Sequence, residues 1–252
     1  MTHETKIIKG EWLTLAGELA ASSIDFLYVD PPFNTGKKQE TPPAAGRAGR
    51  FVRASYADAW PTTAAYVEWL RQRVSATIPA MKPSATVAVH CDQRTSHRVR
   101  VMLEDLLGED NFVNHLIWSY GLGGSSPRRF ARKHDDILVY AIDCRRYYFQ
   151  PPMVPATSHR LRGTLKKATD VLAIPSLNNM AAERTGYPTQ KPLELLRLLV
   201  SAFAPAGGTV LDPCCGSGTS LLAARELGRA AIGFDISPAA IRTTRARLKL
   251  GG

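Results

Sequence analysis

Four consecutive residues carry groups suited to chemistry on a flat ring with an exocyclic amine: Asp30, Pro31, Pro32 and Phe33. The two prolines fix φ and restrict the residue ahead of them, so the Asp30 carboxylate and the Pro31 carbonyl are expected in a preset geometry. An amine could donate to both oxygens while its ring stacks on Phe33. A double proline also ends strands without any further role, and the tetrapeptide alone leaves both interpretations open.

A second group of residues fits an adenosine-like ligand. A short apolar run delivers Asp212, the turn 213–219 opens a helical segment, and a later apolar run ends at Asp235. This order follows the βαβ plan in which the distal acid accepts ribose hydroxyls. Only Gly216 and Gly218 of the dinucleotide pattern are present, and the Asp212 carboxylate would repel a pyrophosphate. A sulfonium or ammonium group suits that carboxylate, which favours S-adenosylmethionine over NAD.

The elements that position these carboxylates alternate between strands and helices, which predicts an α/β sheet. Residues 24–29 form the predicted strand before Asp30, and residues 112–120 and 137–142 predict a hairpin at the sheet edge. His90 ends another predicted strand and is interpreted as a satisfied core histidine. Amphipathic spacing predicts helices over residues 12–19, 63–78, 96–107, 193–203 and 238–250.

Two segments lack periodicity. Residues 34–59 are rich in small and basic residues, which fits either a mobile lid or a surface loop. Residues 153–185 show little pattern beyond 171–174 and are predicted to be irregular.

Length, charge and cysteine spacing narrow the function classes. The 252 residues suffice for one large domain with a modest insertion. No run approaches the ~18 apolar residues of a membrane helix and the charged N-terminal segment lacks a signal-peptide core, so a cytoplasmic protein is expected. Four cysteines without CxxC spacing argue against a metal site. The net charge is +10, and residues 121–167 hold ten lysines and arginines against three aspartates, which favours a nucleic-acid partner.

Three motifs in combination are far more specific than any one alone: DPPF at 30–33, YPTQKP at 187–192, and DPCCGSGT at 212–219 followed by GFDIS. Together they resemble the amino-methyltransferases of DNA, and their order resembles the beta group of that family. The resemblance implies an α/β, Rossmann-like methyltransferase sheet of seven strands, circularly permuted, with a small basic insertion. Residues 1–120 and 187–252 would form the methyltransferase domain, and 121–186 an inserted hairpin and target-recognition region.

The resemblance also implies roles for individual residues. Phe33 would stack on the target base while Asp30 and the Pro31 carbonyl accept its amino protons, with Pro32 completing the catalytic motif. Thr189 and Lys191 would reach the methionine end of S-adenosylmethionine. The remaining implied cofactor residues are Asp212, Pro213, Cys214, Gly216, Gly218, Thr219, Asp235 and Ile236. The basic residues expected at DNA are Lys37, Lys38, Arg128, Arg129, Arg132, Lys133, Arg160, Arg162, Lys166 and Lys167.

Two positions depart from the family pattern. Phe33 stands where tyrosine is usual, and Cys214 stands where the family usually carries an aromatic residue. Stacking survives the first change, whereas the second loosens an adenosine-side contact.

The resulting functional hypothesis is methyl transfer to the exocyclic amine of a flipped base in double-stranded DNA, with adenine N6 as the target. Cytosine N4 is the alternative target, and a non-catalytic nucleic-acid-binding module on the same scaffold is the alternative class. Methylation at cytosine C5 is disfavoured because Cys214 and Cys215 lie in the cofactor turn. A protein-glutamine or RNA methyltransferase fits the motif order and basic segment less well. From the family resemblance, we also expect two protein partners: a second copy of the chain in a homodimer, and a cognate restriction endonuclease.

Overall fold

The computed structural model describes residues 4–40, 55–121, 125–178 and 181–249. Strands and α-helices alternate through these ranges. The strands are β1 (Thr5–Lys9), β2 (Ile24–Val29), β3 (Lys37–Glu40), β4 (Ser55–Asp58), β5 (Met81–Cys91), β6 (Phe112–Ser119), β7 (His134–Ala141), β8 (Met153–Pro155), β9 (Leu165–Lys167), β10 (Val171–Ala173), β11 (Thr209–Asp212) and β12 (Ala230–Asp235). The helices are α1 (Trp12–Ala16), α2 (Thr63–Thr77), α3 (Ser96–Leu107), α4 (Leu193–Phe203), α5 (Thr219–Glu226) and α6 (Pro238–Arg247).

One large sheet organises the fold, with the strand order β1-β12-β11-β2-β5-β7-β6-β10. All neighbours pair in parallel except β7, which is antiparallel to both β5 and β6. Strand β1 pairs in parallel with β12, so it lies beside the C-terminal strands. Because β2, β11 and β12 are parallel neighbours, the acids at their carboxyl ends, Asp30, Asp212 and Asp235, meet at one edge of the sheet.

Both faces of the sheet are covered, which explains why β2 is buried along its whole length. Phe26 and Tyr28 belong to the core under α4 and α5. Leu27 and Val29 belong to the core under α1, α2 and α3. The alternation follows from the two-residue period of a strand. A strand held from both sides is a rigid support for the residue that follows it.

The sheet has eight strands where seven were predicted. The additional strand is β10, which pairs in parallel with β6 and buries Leu172 beneath the sheet. The predicted hairpin of β6 and β7 is confirmed, but its place at the edge is wrong. Strand β7 also pairs with β5, so it is an inner strand and β10 takes the edge. The segment 121–186 therefore contributes two strands to the main sheet.

Other segments differ in smaller ways. The segment predicted as a lid or loop begins and ends in an antiparallel hairpin of β3 and β4. Residues 41–54, including Arg47, Arg50 and Arg53, lie outside the described residues. Within the region predicted to be irregular, β8 and β9 form a short antiparallel pair. Among the described residues, no helix has the length and apolarity required to cross a bilayer.

Candidate active site

The carboxyl edge of β2, β11 and β12 opens into a cavity of about 490 Å³. Its wall contains Asp30, Asp212 and Asp235, one acid from the end of each strand. Ligands of open α/β sheets bind outside the carboxyl ends of the strands, so the position is the expected one. Three carboxylates facing one cavity favour a ligand with cationic groups and hydroxyl donors.

The turn after β11 requires glycine at two positions. Gly216 has φ +49°, and a Cβ there would lie 3.0 Å from the Tyr187 ring. Gly218 has φ +73°, and a Cβ would lie 2.5 Å from Cγ2 of Thr244. Side chains rarely adopt positive φ, and here they would also collide with neighbours. At Gly216 the turn therefore presents backbone to the cavity, whereas at Gly218 glycine is required by the close approach of Thr244.

Asp235 is held by two backbone donors. Its Oδ2 accepts from the Gly216 amide at 2.9 Å, and its Oδ1 accepts from the Ser237 amide at 2.8 Å. Burial raises the pKa of Asp235, and the two amide hydrogen bonds partly offset that effect. A carboxylate oriented in this way retains free lone pairs for hydroxyl groups of a ligand.

Asp212 is the most deeply buried of the three acids. Burial raises its pKa to about 7, although a hydrogen bond from Ser220 and one from the Cys214 amide at 3.0 Å favour the ionised form. The carboxyl group is therefore poised between its neutral and charged forms near neutral pH. A cation bound beside it would favour ionisation.

Asp30 forms an ion pair with Lys191. The Lys191 Nζ donates to both carboxylate oxygens at 2.7 Å, although the two residues are 161 positions apart in sequence. The pair is largely buried, with side-chain exposures of 9% for Lys191 and 19% for Asp30. The same ammonium lies over the Phe33 ring, 5.1 Å from its centroid. Lys191 was expected to pair with a ligand carboxylate, whereas here it binds Asp30 of the predicted catalytic motif.

A buried polar group supports Phe33 from behind. The His90 ring lies 5.6 Å from the Phe33 ring, with the planes 33° apart. His90 has no exposed surface, and its ring nitrogens bond Tyr28 Oη at 3.0 Å and Asp135 Oδ2 at 3.2 Å. The interpretation of His90 as a satisfied core histidine is thus confirmed. Its contact with Phe33 could not be anticipated, because it depends on the pairing of β2 with β5.

The cavity wall brings together most of the residues that the sequence singled out. Of the predicted catalytic motif, Asp30 and Pro32 line the cavity. Phe33 is not part of the wall, but its ring contacts Lys191, which is, and His90. Gly218 is absent from the wall and acts through its backbone conformation, as the residue before α5. The predicted cofactor residues in the wall are Thr189, Lys191, Asp212, Pro213, Cys214, Gly216, Thr219, Asp235 and Ile236.

Sequence reasoning missed the part of the wall that comes from α1 and α2. Arg73 lies over the Trp69 ring at 4.3 Å, and its Nε donates to Glu11 at 3.0 Å. All three residues line the cavity, as do Trp12 and others. Trp12 belongs to an apolar helical stripe, which is equally typical of an ordinary core, whereas Glu11, Trp69 and Arg73 lie outside the predicted stripes.

The basic residues expected at DNA fall on three surface segments. Lys37 and Lys38 lie in β3, and the side chain of Lys38 is outside the described residues. A loop between β6 and β7 carries Arg128, Arg129, Arg132 and Lys133. The segment from β8 to β9 carries Arg160, Arg162, Lys166 and Lys167.

The loop between β6 and β7 leaves the sheet at the edge where Asp30 lies. Ser119 pairs with His134 at the base of the loop, and Cys91 at the end of β5 pairs with Asp136. Beyond Ser119, the Tyr120 amide donates to the Lys133 carbonyl at 3.0 Å and closes the loop. The base of the loop therefore lies at the same edge of the sheet as the cavity.

Comparison with known proteins identifies the family. The sequence profile described as DNA methylase, for N6 and N4 methyltransferases, matches residues 24–246. The chain belongs to this DNA methylase family. The protein is accordingly a DNA methyltransferase that depends on S-adenosylmethionine.

Two relatives illustrate the likeness in sequence. Type II methyltransferase M.HpaI of Haemophilus parainfluenzae is 27% identical over 234 residues, covering 91% of this chain and 69% of the relative. DNA adenine methyltransferase YhdJ of Escherichia coli (strain K12) is 23% identical over 258 residues, covering 96% and 82%.

Two solved structures share the fold. The M1.HpyAVI complex with SAM superposes with a TM-score of 0.66 at 20% identity, covering 98% of this chain and all of the other. PvuII DNA methyltransferase, which is cytosine-N4-specific, gives a TM-score of 0.71 at 16% identity, covering 98% and 87%.

The cavity fits the cofactor of the DNA methylase family. The oriented Asp235 carboxylate suits ribose hydroxyls, and the buried Asp212 suits a cationic group. The glycine turn between them leaves room for the ligand. Among the described residues, no cluster of three or more histidines, cysteines or acids is arranged to hold a metal ion.

Proposed function

We propose that this DNA methyltransferase acts on the exocyclic amine of a base flipped out of double-stranded DNA, with adenine N6 as the target. The observation that carries the proposal is the position of Asp30. It shares one cavity with Asp212 and Asp235, and its motif partner Phe33 lies beside it. A base acceptor and a cofactor site thus adjoin each other.

Each end of the cavity has its own task in this proposal. Asp235 binds the ribose hydroxyls, Asp212 attracts the cationic part, and Thr189 with Lys191 serves the amino-acid end. S-adenosylmethionine, when bound, supplies an electrophilic methyl group. The residues of the chain bind and orient both partners, which is where most of the catalytic advantage of a direct transfer arises.

Asp30 and Phe33 act on the base. Taking a base out of the duplex costs a few kcal/mol, and stacking on an aromatic ring returns about 1–3 kcal/mol. The amine is a poor nucleophile because its lone pair is delocalised into the ring. By accepting its N–H groups, Asp30 and the Pro31 carbonyl localise that lone pair toward the methyl group. The nitrogen gains the methyl and loses a proton, for which the hydrogen-bonded Asp30 carboxylate is the acceptor.

The choice of adenine rests on the catalytic motif and on one relative. In the family that the chain resembles, a motif that begins with aspartate is more frequent in adenine enzymes, and here it begins with Asp30. YhdJ is named as an adenine enzyme. PvuII DNA methyltransferase is cytosine-N4-specific with the same fold, so cytosine N4 is the competing target.

The basic loop between β6 and β7 is the proposed contact with the DNA backbone. Arg128 and Arg129 are exposed, and Phe130 between them and Arg132 is fully exposed. Arginines neutralise phosphates, and an exposed aromatic ring offers a stacking surface for bases. The target-recognition role of residues 121–186, the homodimer and the cognate endonuclease stay predictions.

Two measurements test the proposed function. Tritiated methyl transfer from S-adenosylmethionine to duplex DNA separates an enzyme from a non-catalytic DNA-binding module. Single-molecule sequencing of DNA from cells that express the chain then gives the base and the site. N6-methyladenine is expected; N4-methylcytosine would overturn the choice of base alone, and the absence of any methylated base would overturn the activity.

A further inference from the structure

We infer that Lys191 masks Asp30 from the target amine until the carboxylate of the cofactor draws the lysine away, so that capture of the base depends on the cofactor. The inference rests on the proposed function and adds a regulatory order to it. It concerns a contact that joins the two ends of the cavity, between the base acceptor and the cofactor site.

The Lys191 ammonium occupies the position that suits the amine of a base. It donates to Oδ1 and Oδ2 of Asp30 at 2.7 Å each and lies 5.1 Å from the centroid of Phe33. A target amine would donate to the same carboxylate while its ring stacks on the same phenyl group. Both groups therefore compete for one acceptor and one aromatic face.

Solvent screens the ion pair between Lys191 and Asp30 only weakly. Lys191 retains 9% of its side-chain exposure and Asp30 retains 19%, so the pair lies mostly outside bulk solvent. Ion pairs in such surroundings are stronger than exposed pairs, and breaking one without a replacement is strongly unfavourable. The base alone offers Asp30 a neutral donor and offers the displaced ammonium no partner.

A carboxylate in the cofactor site supplies that partner. The described cavity wall contains two cationic side chains, Lys191 and Arg73. Arg73 is already bound, since its guanidinium donates to Glu11 and to the Trp69 carbonyl. Lys191 is the cation left to pair with a new carboxylate, and its flexible stem lets the ammonium turn within the cavity.

The backbone of Lys191 is fixed, so only the side chain needs to move. The Lys191 carbonyl accepts from the Thr219 hydroxyl at 3.3 Å, at the start of α5. Two residues earlier, Thr189 has φ +60°, in the left-handed region. Binding of the cofactor and of the base are thereby coupled through one side chain, and such coupling is reciprocal.

The test compares two ligands that differ in the amino-acid part. S-adenosylhomocysteine carries the carboxylate and does not react, whereas 5′-methylthioadenosine keeps the adenosine and the thioether without the carboxylate. Two duplexes carry, at the site mapped by sequencing, either adenine or purine, which lacks the amine. Each target faces an abasic position, so that no base pair is lost on flipping. Fluorescence anisotropy gives the affinity for each duplex.

With S-adenosylhomocysteine, the wild type should bind the adenine duplex about tenfold more tightly than the purine duplex, which is typical of a hydrogen bond to a charged acceptor. Without ligand, or with 5′-methylthioadenosine at saturation, the preference should disappear. The Lys191→Met variant should show the preference under all three conditions. If sequencing assigns cytosine, cytosine and its analogue without the amine replace the purine pair.

The matched control removes a comparable ion pair at the other end of β2. Lys82 donates to Asp25 at 2.7 Å, and Lys82→Met should leave the cofactor dependence unchanged. A wild-type preference for adenine without ligand, or a preference in Lys191→Met that still requires S-adenosylhomocysteine, would overturn the inference. The wild-type comparison alone decides the matter if Lys191→Met does not fold. Methyl transfer in the same preparation separates this failure from that of the proposed function, because an inactive wild type overturns both.

Discussion

The imidazole ring of His90 lies against the phenyl ring of Phe33, with centroids 5.6 Å apart and planes inclined by 33°. The histidine is fully buried at the end of β5, and the phenylalanine follows β2, the neighbouring strand. A rigid, hydrogen-bonded ring therefore backs the ring proposed to receive the base. The stacking ring thus lies in the loop after β2 and packs against a side chain of the sheet.

Truncating the stacking ring should weaken methyl transfer. Phe33→Ala removes the aromatic face, worth about 1–3 kcal/mol per base, so kcat/KM should fall about tenfold to a hundredfold. Phe33→Tyr keeps the face and should remain within a few-fold of the wild type. Steady-state transfer of tritiated methyl groups measures both variants. An undiminished Phe33→Ala would remove Phe33 from the base pocket.

Replacing His90 should destabilise the protein. His90→Leu leaves the buried Tyr28 hydroxyl without its partner and removes one of the hydrogen bonds of the Asp135 carboxylate, which keeps the bond from the Tyr120 hydroxyl; the orphaned hydroxyl alone should cost about 1–3 kcal/mol. Urea denaturation followed by fluorescence gives the free energy of unfolding. Tyr28→Phe, which removes a single bond of this network, should lose only about 1 kcal/mol. Equal stability of His90→Leu and wild type would contradict the assigned hydrogen bonds.

Removing the proposed acceptor should separate chemistry from cofactor binding. Asp30→Ala should lower kcat by about two orders of magnitude or more, because the amine loses its charged acceptor. Calorimetric titration with S-adenosylhomocysteine should show retained cofactor binding, since Asp212 and Asp235 are untouched. Methyl transfer at the wild-type rate would exclude Asp30 from the reaction.

The affinity for S-adenosylmethionine should depend on the ionisation of Asp212. Burial raises the pKa of this carboxyl group to about 7 in the free protein, so it is largely neutral below that pH. A cationic ligand binds the ionised form better, and affinity should therefore rise as the pH increases through about 7. In Asp212→Asn the affinity should be lower, and this rise should be absent. Calorimetry at several pH values checks it; an identical rise in both proteins would assign the titration to another group.

The raised pKa of Asp212 also affects the stability of the fold, which should fall with rising pH where the cofactor affinity rises. Asp212 takes up a proton more readily in the folded protein than in the unfolded chain, so its contribution to stability is fully present at pH values below the pKa of the unfolded carboxyl group. That contribution is lost as the pH rises through about 7. The Asp212→Asn variant should lack this loss in urea denaturation measured across that pH range.

The acids of the site could be predicted from sequence because each lies at the end of a strand, or directly after it, and the pattern of each strand is local. Asp30 comes after six buried residues, and Asp235 closes a βαβ unit recognisable from its glycine turn. The contact of Lys191 with Asp30 could not be predicted, because it joins residues 161 positions apart. The place of β10 in the main sheet could not be predicted either, because three residues are too few to show the periodicity of a strand.

Two pairs of adjacent arginines that look alike in sequence should differ in their contribution to DNA binding. Arg128 and Arg129 lie in the loop at the edge of the sheet that holds Asp30, whereas Arg145 and Arg146 follow β7 at the opposite edge. Removing Arg128 and Arg129 together should weaken DNA binding and reduce the slope of log K against log salt by about 0.9 for each phosphate that is no longer neutralised. The matched Arg145→Ala and Arg146→Ala double variant should keep the wild-type slope. Anisotropy titrations over a series of salt concentrations measure both, and equal slopes for the two double variants would place the DNA on another face.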